Sequence, residues 1–331
     1  MKVGITGAPG HVGSVLCREL LAKGGYTVRA GYYDEKKGIE GLDVEEQFVN
    51  ILDKESVDEF VSGCDAIVHL AAIISIEGDP TGIVRKTNFN GTENVIEACE
   101  KNGVKRLLHF STIHAMNPYP LDKVLDETRD LAGDGDWVGS LYDRSKADGE
   151  RSVLAAVDRG LDAILITPTS IMGPWDFGPS LLGQAILDIY HRDLPSVVKG
   201  GYDWVNVRNI VQGTIAALEV GKKGEKYLLA GEFKTVGEVA RMIGDITQRK
   251  VPTYETPIWM ARLGVPFAKI ESMINGKPAR ITNEALSALV HSNPLCSSEK
   301  AQNDLGYQPI PIYDTLKESI DWFGEYGYLR N

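Results

Sequence analysis

Short apolar runs alternate with longer segments of helical periodicity through the first half of the chain. Six runs have strand length and are rich in apolar or β-branched residues: KVGIT, TVRAGYY, QFVN, DAIVHLA, RLLHFS and DAILITP. Between them, apolar residues recur at helical spacing over 11–23, 53–62, 81–102 and 142–159. This alternation predicts an α/β protein with a Rossmann-type, doubly wound parallel sheet.

The regular alternation ends after TPTSIMGP at 167–174, where prolines and glycines become frequent. We therefore expect residues 1–173 to form the Rossmann domain and residues 174–331 to form mainly a smaller C-terminal α+β substrate lobe. A helix-then-strand pattern over 205–230 predicts that the chain returns to the first sheet before it completes that lobe.

Composition narrows the class of protein. The chain has 331 residues, of which 43% are hydrophobic and 24% are charged, as in soluble globular proteins. Its net charge of −11 disfavours nucleic acid and anionic membrane surfaces as partners. The cysteines are widely spaced without a CxxC, which predicts neither disulfides nor a metal site and fits a cytoplasmic protein.

Membrane insertion and export are not expected. The N-terminus runs directly into a strand-and-turn pattern and lacks the features of a signal peptide. The most apolar late stretch, at 257–268, is interrupted by Arg262, Gly264 and Pro266 and is too short to span a bilayer. At most, this stretch could associate with the surface of a membrane.

A glycine-rich turn follows the first predicted strand. In TGAPGHVG, Gly7, Gly10 and Gly13 precede a predicted helix, with His11 and Val12 between the last two. Glycines at this spacing permit a tight turn and a close approach of the backbone to a pyrophosphate at the helix N-terminus. The turn therefore predicts a dinucleotide-binding site.

The end of the second predicted strand bears on the choice of dinucleotide. An acidic residue there holds the ribose hydroxyls of NAD, whereas a cation accepts the 2′-phosphate of NADP. The sequence GYYDEKKG offers Asp34 as the acid and Lys36 and Lys37 as cations. The preference between NAD and NADP stays open.

Candidate catalytic residues occur in YDRSK and in FSTIHA. Tyr142 and Lys146 are four residues apart and lie on one face of a predicted helix. A nearby ammonium and a cationic nicotinamide ring would lower the pKa of the phenol, so that Tyr142 could exchange a proton with a carbonyl or alcohol oxygen. Thr112 follows a buried strand and would point at the same oxygen. All these motifs fall at the carboxyl ends of strands, where open α/β sheets bind ligands.

Together, TGAPGHVG, DAIVHLAA, NFNGTENVIEAC, HFST, YDRSK, TPTSIMGP and SSEKAQNDLGYQP resemble the extended short-chain dehydrogenase/reductase family. The resemblance covers nearly the whole chain. Within the NAD(P)-dependent epimerase/dehydratase proteins of that family, the sequence looks most similar to the dihydroflavonol-reductase-like branch.

The resemblance implies roles for individual residues. Tyr142 would be the general acid/base, Lys146 would lower its pKa and hold the nicotinamide ribose, and Thr112 would bind the substrate oxygen. Besides Tyr142 and Lys146, the residues expected to bind the cofactor are Gly7, Gly10, His11, Val12, Gly13, Tyr33, Asp34, Lys37, Asn50, Ile51, Leu70, Ala71, Ala72, Asn88 and Pro168. A homodimer through the helix that bears YxxxK is also implied.

Three departures from the family pattern are visible: Tyr33, Asn50, and the pair Asn206 and Asn209, which replace aspartates; the first two bear on the cofactor. Tyr33 stands where reductases of this branch carry an arginine for the 2′-phosphate, which weakens the case for NADP. Asn50 replaces the usual acid at the adenine edge, although an amide oxygen can still accept a hydrogen bond from the adenine amino group.

The favoured function is an NAD(P)-dependent oxidoreductase that interconverts a carbonyl and a secondary alcohol on a small, apolar substrate. Ile113 and His114 occupy the places where sugar dehydratases of the family carry an Asp-Glu pair. A nucleotide-sugar epimerase is the alternative, in which Lys199, Arg208 and Arg280 would meet a diphosphate. A dinucleotide-sensing regulator without catalysis is a further alternative, although such relatives tend to lose the Tyr or Lys that this chain retains. The side chains expected at the substrate are Ile74, His114, Met172, Trp175 and Trp204.

Overall fold

A computed structural model of the chain describes residues 1–275 and 281–329. The strands are β1 (Lys2–Thr6), β2 (Thr27–Tyr32), β3 (Glu45–Phe48), β4 (Ala66–His69), β5 (Arg106–Phe110), β6 (Ala163–Pro168), β7 (Ser170–Met172), β8 (Val197–Val198), β9 (Gly201–Asn206), β10 (Lys226–Leu229), β11 (Glu232–Thr235) and β12 (Glu255–Thr256).

The helices are α1 (His11–Lys23), α2 (Lys54–Val61), α3 (Ile83–Arg85), α4 (Gly91–Asn102), α5 (Leu141–Arg159), α6 (Leu181–His191), α7 (Val207–Val220), α8 (Val236–Thr247), α9 (Ile258–Asn275), α10 (Asn283–Val290), α11 (Glu299–Leu305) and α12 (Ile312–Glu325). A π-helical turn, Lys86–Asn90, joins α3 to α4, and a 3-10 turn, Ile113–Ala115, follows β5.

The main sheet has the strand order β3-β2-β1-β4-β5-β6-β10, and all its pairs are parallel. Helices pack on both faces of this sheet. Its inner strands are therefore buried on both sides and apolar throughout, as in β6. The predicted Rossmann-type α/β fold is confirmed. The strand order reverses between β1 and β4, so their carboxyl ends flank the crevice where such sheets bind ligands.

The predicted elements differ from the observed ones mainly at two places. The third strand is Glu45–Phe48, two residues earlier than the run QFVN suggested. The helix expected over 81–102 contains the π-helical turn, which includes Asn88.

The chain returns to the main sheet through α7 and β10, which pairs with β6. A smaller three-stranded sheet, in the order β11-β9-β7, packs with α6, α8 and α12 around the buried side chains of Met172 and Trp204. The division into domains at residue 173 stays a prediction. Within the described ranges, none of the helices is long and apolar enough to cross a membrane.

Candidate active site

The glycine turn between β1 and α1 is built for close approach. Gly7 has a φ of +71°, and a Cβ on it would lie 2.9 Å from the backbone nitrogen of Ala71. A Cβ on Gly13 would lie 2.6 Å from the carbonyl oxygen of Gly7. Helix α1 has no side-chain cap at Gly10 and no acidic residue in its first turn, so its N-terminus can receive an anion. The turn fits the pyrophosphate of a dinucleotide.

His11 connects this turn to the smaller lobe. Its Nε2 lies 3.0 Å from the carbonyl oxygen of Pro174, and Ser14 in the next turn donates to the carbonyl oxygen of Trp175 at 3.3 Å. The ring of Trp175 lies under the guanidinium of Arg208, whose carbon is 4.5 Å from the ring centre. Trp175 therefore joins the two lobes beside the glycine turn.

The segment after β2 exposes an aromatic surface. The side chain of Tyr33 is stacked on Phe48 with ring centres 5.8 Å apart, and both residues are at least half exposed. Asp34 is also exposed, whereas Lys37 has its ammonium 3.2 Å from the hydroxyl of Tyr328. The second cation, Lys36, is paired with Glu46.

Asn50 and Ile51, expected at the adenine, have structural contacts of their own. Oδ1 of Asn50 accepts a hydrogen bond from the backbone nitrogen of Leu52 at 3.0 Å. Ile51 is buried and packs against Gly91, at the start of α4. Asn50 thus shapes the turn after β3, and its amide oxygen already has one donor.

The segment after β4 is held by two polar side chains. Thr6 Oγ1 accepts from the backbone nitrogens of Leu70 and Ala71, each at 3.2 Å. The amide of Asn88 accepts from the backbone nitrogen of Ile73 at 2.8 Å and donates to Ser145 Oγ at 3.0 Å. Because both ends of this buried amide are engaged within the protein, Asn88 fixes the loop that contains Leu70 and Ala71 against α5.

Tyr142 and Lys146 lie in the first two turns of α5. The helix begins after Ser140, which forms a capping box with Asp143 and so sets the start of the helix. The side chain of Thr112 lies near enough to the phenol of Tyr142 to lower its pKa. The structure therefore brings together the three residues that the sequence predicted to be catalytic.

The pKa of Tyr142 differs from the expectation drawn from the sequence. Its hydroxyl is surrounded by protein although the residue retains some exposure, and burial raises the pKa well above its usual value. The carboxylate of Asp143 raises it further, while the nearby side chain of Thr112 lowers it. Lys146 makes no contribution to this shift; its Nζ donates to the carbonyl oxygen of Phe110 at 2.5 Å.

Lys146 is buried, and burial lowers the pKa of its ammonium to about 8. The carboxylate of Glu150, one turn further along α5, acts in the opposite direction and raises that pKa. Glu150 is itself fully buried; it accepts from Ser111 Oγ at 2.7 Å and forms an ion pair with Lys226 of β10. Glu150 thus joins α5 to β5 and β10, directly behind Lys146.

Two buried histidines lie on neighbouring strands under α5. His69 and His109 are paired across β4 and β5, with ring centres 5.5 Å apart. His69 Nδ1 is 2.8 Å from Thr6 Oγ1. Burial lowers the pKa of His69 to about 3 and that of His109 well below its usual value, and the ammonium of Lys146 contributes in the same direction. Both imidazoles are neutral at physiological pH.

A partly open cavity begins at Ile113, the residue after Thr112. Four separate parts of the chain form its wall, and the lining residues are Ile113, His114, Met116, Pro118, Leu125, Trp137, Thr169, Ser170, Tyr202, Asp203, His291, Ser292, Asn293 and Cys296. The pKa of Asp203 is raised by burial, and the carboxyl accepts from the backbone nitrogen of Gly231 at 2.7 Å. Sequence reasoning identified only His114 in this set.

The other substrate candidates lie elsewhere. Met172 and Trp204 are buried in the core of the smaller lobe, and Trp204 donates its indole N–H to the carbonyl oxygen of Lys234. Trp175 packs between the lobes, and Ile74 is 66% exposed. Ser170 of β7, and Tyr202 and Asp203 just before Trp204 in β9, line the cavity instead.

Comparison with known proteins agrees with this geometry. Residues 3–230 match the model of the NAD dependent epimerase/dehydratase family. The chain is 29% identical to sterol demethylase protein B of Methylococcus capsulatus, covering 98% of this chain and 99% of that protein. It is 29% identical to dihydroflavonol 4-reductase of Callistephus chinensis, covering 98% and 87%. The crystal structure of gox2253 superposes with a TM-score of 0.84 at 29% identity, covering 99% of each chain.

These matches confirm the resemblance found in the sequence and the need for a nicotinamide dinucleotide, NAD or NADP. The chain belongs to the NAD-dependent epimerase/dehydratase family of extended short-chain dehydrogenases/reductases and is an NAD(P)-dependent oxidoreductase.

Proposed function

We propose that the protein interconverts a ketone and a secondary alcohol on a small, apolar substrate. The observation that carries this proposal is the proximity of Thr112 to Tyr142, together with a pocket whose lining begins at Ile113, the residue after Thr112. A bound nicotinamide dinucleotide would supply or accept the hydride. The residues of the chain must then bind the reacting oxygen and move its proton.

Tyr142 acts as the general acid/base, and its hydroxyl donates a proton to the carbonyl oxygen in the direction of reduction. Thr112 hydrogen-bonds the same oxygen and fixes its position. The raised pKa keeps the phenol of Tyr142 protonated in the protein alone. With the cofactor bound, the positive charge of an oxidised nicotinamide ring and the buried ammonium of Lys146, one helical turn away in sequence, would favour the phenolate that remains after proton transfer.

The cavity wall favours a neutral substrate. None of its fourteen lining residues is Arg or Lys, and its larger side chains are Met116, Leu125, Trp137 and Tyr202. A nucleotide sugar would bring a diphosphate, which proteins bind with cations or helix N-termini. The cavity suits a ring or aryl-alkyl skeleton with few polar groups.

The epimerase alternative has less support. Arg208 is paired with Glu318 at 3.3 Å and with Glu19 at 3.6 Å, and its guanidinium covers Trp175. Arg280, the third cation considered for a diphosphate, lies outside the described residues.

The homodimer also stays a prediction.

The test combines cofactor titration with a substrate panel. NADH and NADPH are titrated into the purified protein by fluorescence, and the preferred one is used with apolar ketones and with nucleotide sugars. We expect turnover of ketones, and we expect Tyr142→Phe to reduce kcat by about a hundredfold or more with unchanged cofactor binding. Tyr254→Phe, at an exposed position, is the matched control. Turnover confined to nucleotide sugars, or full activity of Tyr142→Phe, would overturn the proposal.

A further inference from the structure

Helix α9 has its large apolar side chains on the outside. Trp259, Leu263, Phe267 and Ile270 are exposed by 65%, 65%, 73% and 56%. The less exposed side carries Ile258, Ala261, Val265 and Ala268, which are smaller than the exposed aromatic and aliphatic side chains or equal to them in size. A helix on the surface of a globular protein normally has the opposite arrangement, with its large apolar residues toward the core.

These exposed side chains form one continuous face. At about 100° of rotation per residue, Leu263, Phe267 and Ile270 all fall within about 80° of Trp259 around the helix axis. Met260, exposed by 40%, and Met273, exposed by 78%, border the same face. A contiguous patch of Trp, Phe, Leu, Ile and Met marks an interaction site.

The charge around this face selects its partner. Arg262 and Lys269 are exposed and lie along one border of the apolar face, about 60–80° from Trp259 by the same rotation. The sequence from 258 to 280 has four basic residues and one acidic residue, whereas the whole chain has a net charge of −11. A local positive charge beside exposed aromatic and aliphatic side chains is typical of helices that lie in the interface of an anionic membrane.

The face is also close to the cavity. Helix α9 packs on α10, and His291, the first residue after α10, lines the cavity. Arg262 is near enough to His291 to lower the pKa of that imidazole, together with burial. The apolar face of α9 thus lies one helix away from the cavity wall.

We propose that the exposed face of α9 docks on the surface of an anionic lipid bilayer. The helix lies in the plane of the interface, with Trp259, Leu263 and Phe267 among the acyl chains and with Arg262 and Lys269 at the headgroups. It does not cross the bilayer, because an 18-residue helix with Arg262, Pro266 and Lys269 in its middle is too polar to do so. If the proposed function holds, apolar substrates would reach the cavity from this surface.

A second copy of the chain is a weaker fit to the same face. A symmetric contact would place the same basic border on both sides of the interface. Anionic headgroups instead neutralise Arg262 and Lys269, and each cation near such a surface strengthens binding.

The test is flotation of the full chain with two kinds of vesicle: phosphatidylcholine alone, and equal parts of phosphatidylcholine and phosphatidylglycerol. We expect the protein to float with the anionic vesicles and much less with the neutral ones. Leu263→Glu/Phe267→Glu should abolish flotation, and Arg262→Gln/Lys269→Gln should weaken binding to the anionic vesicles about tenfold. The control Val220→Glu/Tyr313→Glu adds the same charge at positions exposed by 63% and 44% and should float like the unmodified protein.

Titration with NADH checks that Leu263→Glu/Phe267→Glu is folded and separates this proposal from the proposed function. If the unmodified protein floats with anionic vesicles but does not turn over ketones, the result would count against the proposed function alone. The docking proposal is overturned if the unmodified protein stays in solution with anionic vesicles, or if the control loses flotation as fully as the α9 variant. It is also overturned if sedimentation velocity shows a dimer, without vesicle binding, that Leu263→Glu/Phe267→Glu dissociates.

Discussion

The hydroxyl of Ser111 donates to Oε2 of Glu150 at 2.7 Å, and this bond ties the end of β5 to the helix that carries Tyr142 and Lys146. Glu150 is fully buried, and its second oxygen is paired with Lys226, whose side chain is 10% exposed. A buried carboxylate one turn behind Lys146 favours the charged form of the ammonium. We therefore expect Glu150 to act on the reaction through Lys146, as a positioning residue.

Replacing Glu150 by Gln should move the pH dependence of turnover. Without the carboxylate, burial alone acts on Lys146, and its pKa falls further below about 8. We expect the alkaline limb of kcat to move to lower pH by about one pH unit. The measurement is a pH profile of ketone reduction.

Stability has to be separated from this effect. Glu150→Gln leaves the ammonium of Lys226 buried without its partner, which costs about 3–5 kcal/mol of unfolding free energy. Glu150→Gln/Lys226→Met removes both charges and should recover most of that stability while keeping the altered pH profile. Ser111→Ala removes the hydrogen bond to Glu150 but keeps the carboxylate, so the alkaline limb of the pH profile of this variant should stay in place. If Ser111→Ala shifts that limb as much as Glu150→Gln does, the electrostatic explanation is contradicted.

The features that sequence reasoning found are local ones. The glycine turn is one continuous segment, and Tyr142 and Lys146 are related by a single helical turn. The cavity is different, because Trp137, Asp203, His291 and Cys296 come from distant segments and meet only after the lobes have folded. Their sequence neighbours give no periodic signal that could single them out.

Two further differences arise from burial. The spacing of Tyr142 and Lys146 was visible, but the direction of the Lys146 ammonium toward the carbonyl oxygen of Phe110 depends on where β5 ends under α5. Asn88 stays a predicted cofactor residue, and the bonds of its buried amide to Ile73 and Ser145 depend on tertiary packing that the sequence does not show. Glu150 could have been found, since it continues the four-residue spacing from Tyr142 and Lys146.

The buried histidine pair predicts a loss of stability in mild acid. The pKa of His69 is lowered from 6.5 to about 3, and that of His109 is also well below 6.5. At pH values between the folded-state pKa and 6.5, these histidines bind protons in the unfolded chain but not in the folded protein. The free energy of unfolding that they preserve above about pH 6.5 is therefore lost as the pH falls. We expect each histidine to account for about 2 kcal/mol of unfolding free energy lost between about pH 7.5 and about pH 5.

His109→Phe tests this prediction. Neither ring nitrogen of His109 has a hydrogen-bond partner within the part of the chain that the structure describes, so the aromatic replacement removes the titration without stranding another polar group. Urea unfolding at both pH values should show a smaller loss for the variant than for the unmodified protein. An equal loss in the two proteins would show that His109 is not responsible.

Gly13→Ala should impair both cofactor binding and stability. The added Cβ would lie 2.6 Å from the carbonyl oxygen of Gly7 and 2.7 Å from Ala8 Cα, both of which belong to the backbone. Relief of this contact requires α1 to move away from the turn, at a cost of about 1–3 kcal/mol. We expect NADH affinity to fall about tenfold or more, because the turn no longer approaches the pyrophosphate closely. Gly178→Ala is the control, since a Cβ there meets nothing within 4 Å; comparable losses in both variants would contradict the explanation.

Tyr33→Arg/Asp34→Ser should shift the cofactor preference toward NADPH. Tyr33 follows β2 directly and is 58% exposed, so an arginine there has room to form a bidentate pair with a 2′-phosphate. Asp34→Ser removes an exposed carboxylate that would repel the phosphate. A charge-assisted pair of this kind is worth about 1.5–3 kcal/mol, which corresponds to a rise of about tenfold to a hundredfold in the affinity for NADPH relative to NADH. The two dissociation constants are measured by fluorescence titration. Tyr33→Gln/Asp34→Ser removes the same stacking on Phe48 without adding a cation, so an equal shift in that variant would show that the guanidinium is not the cause.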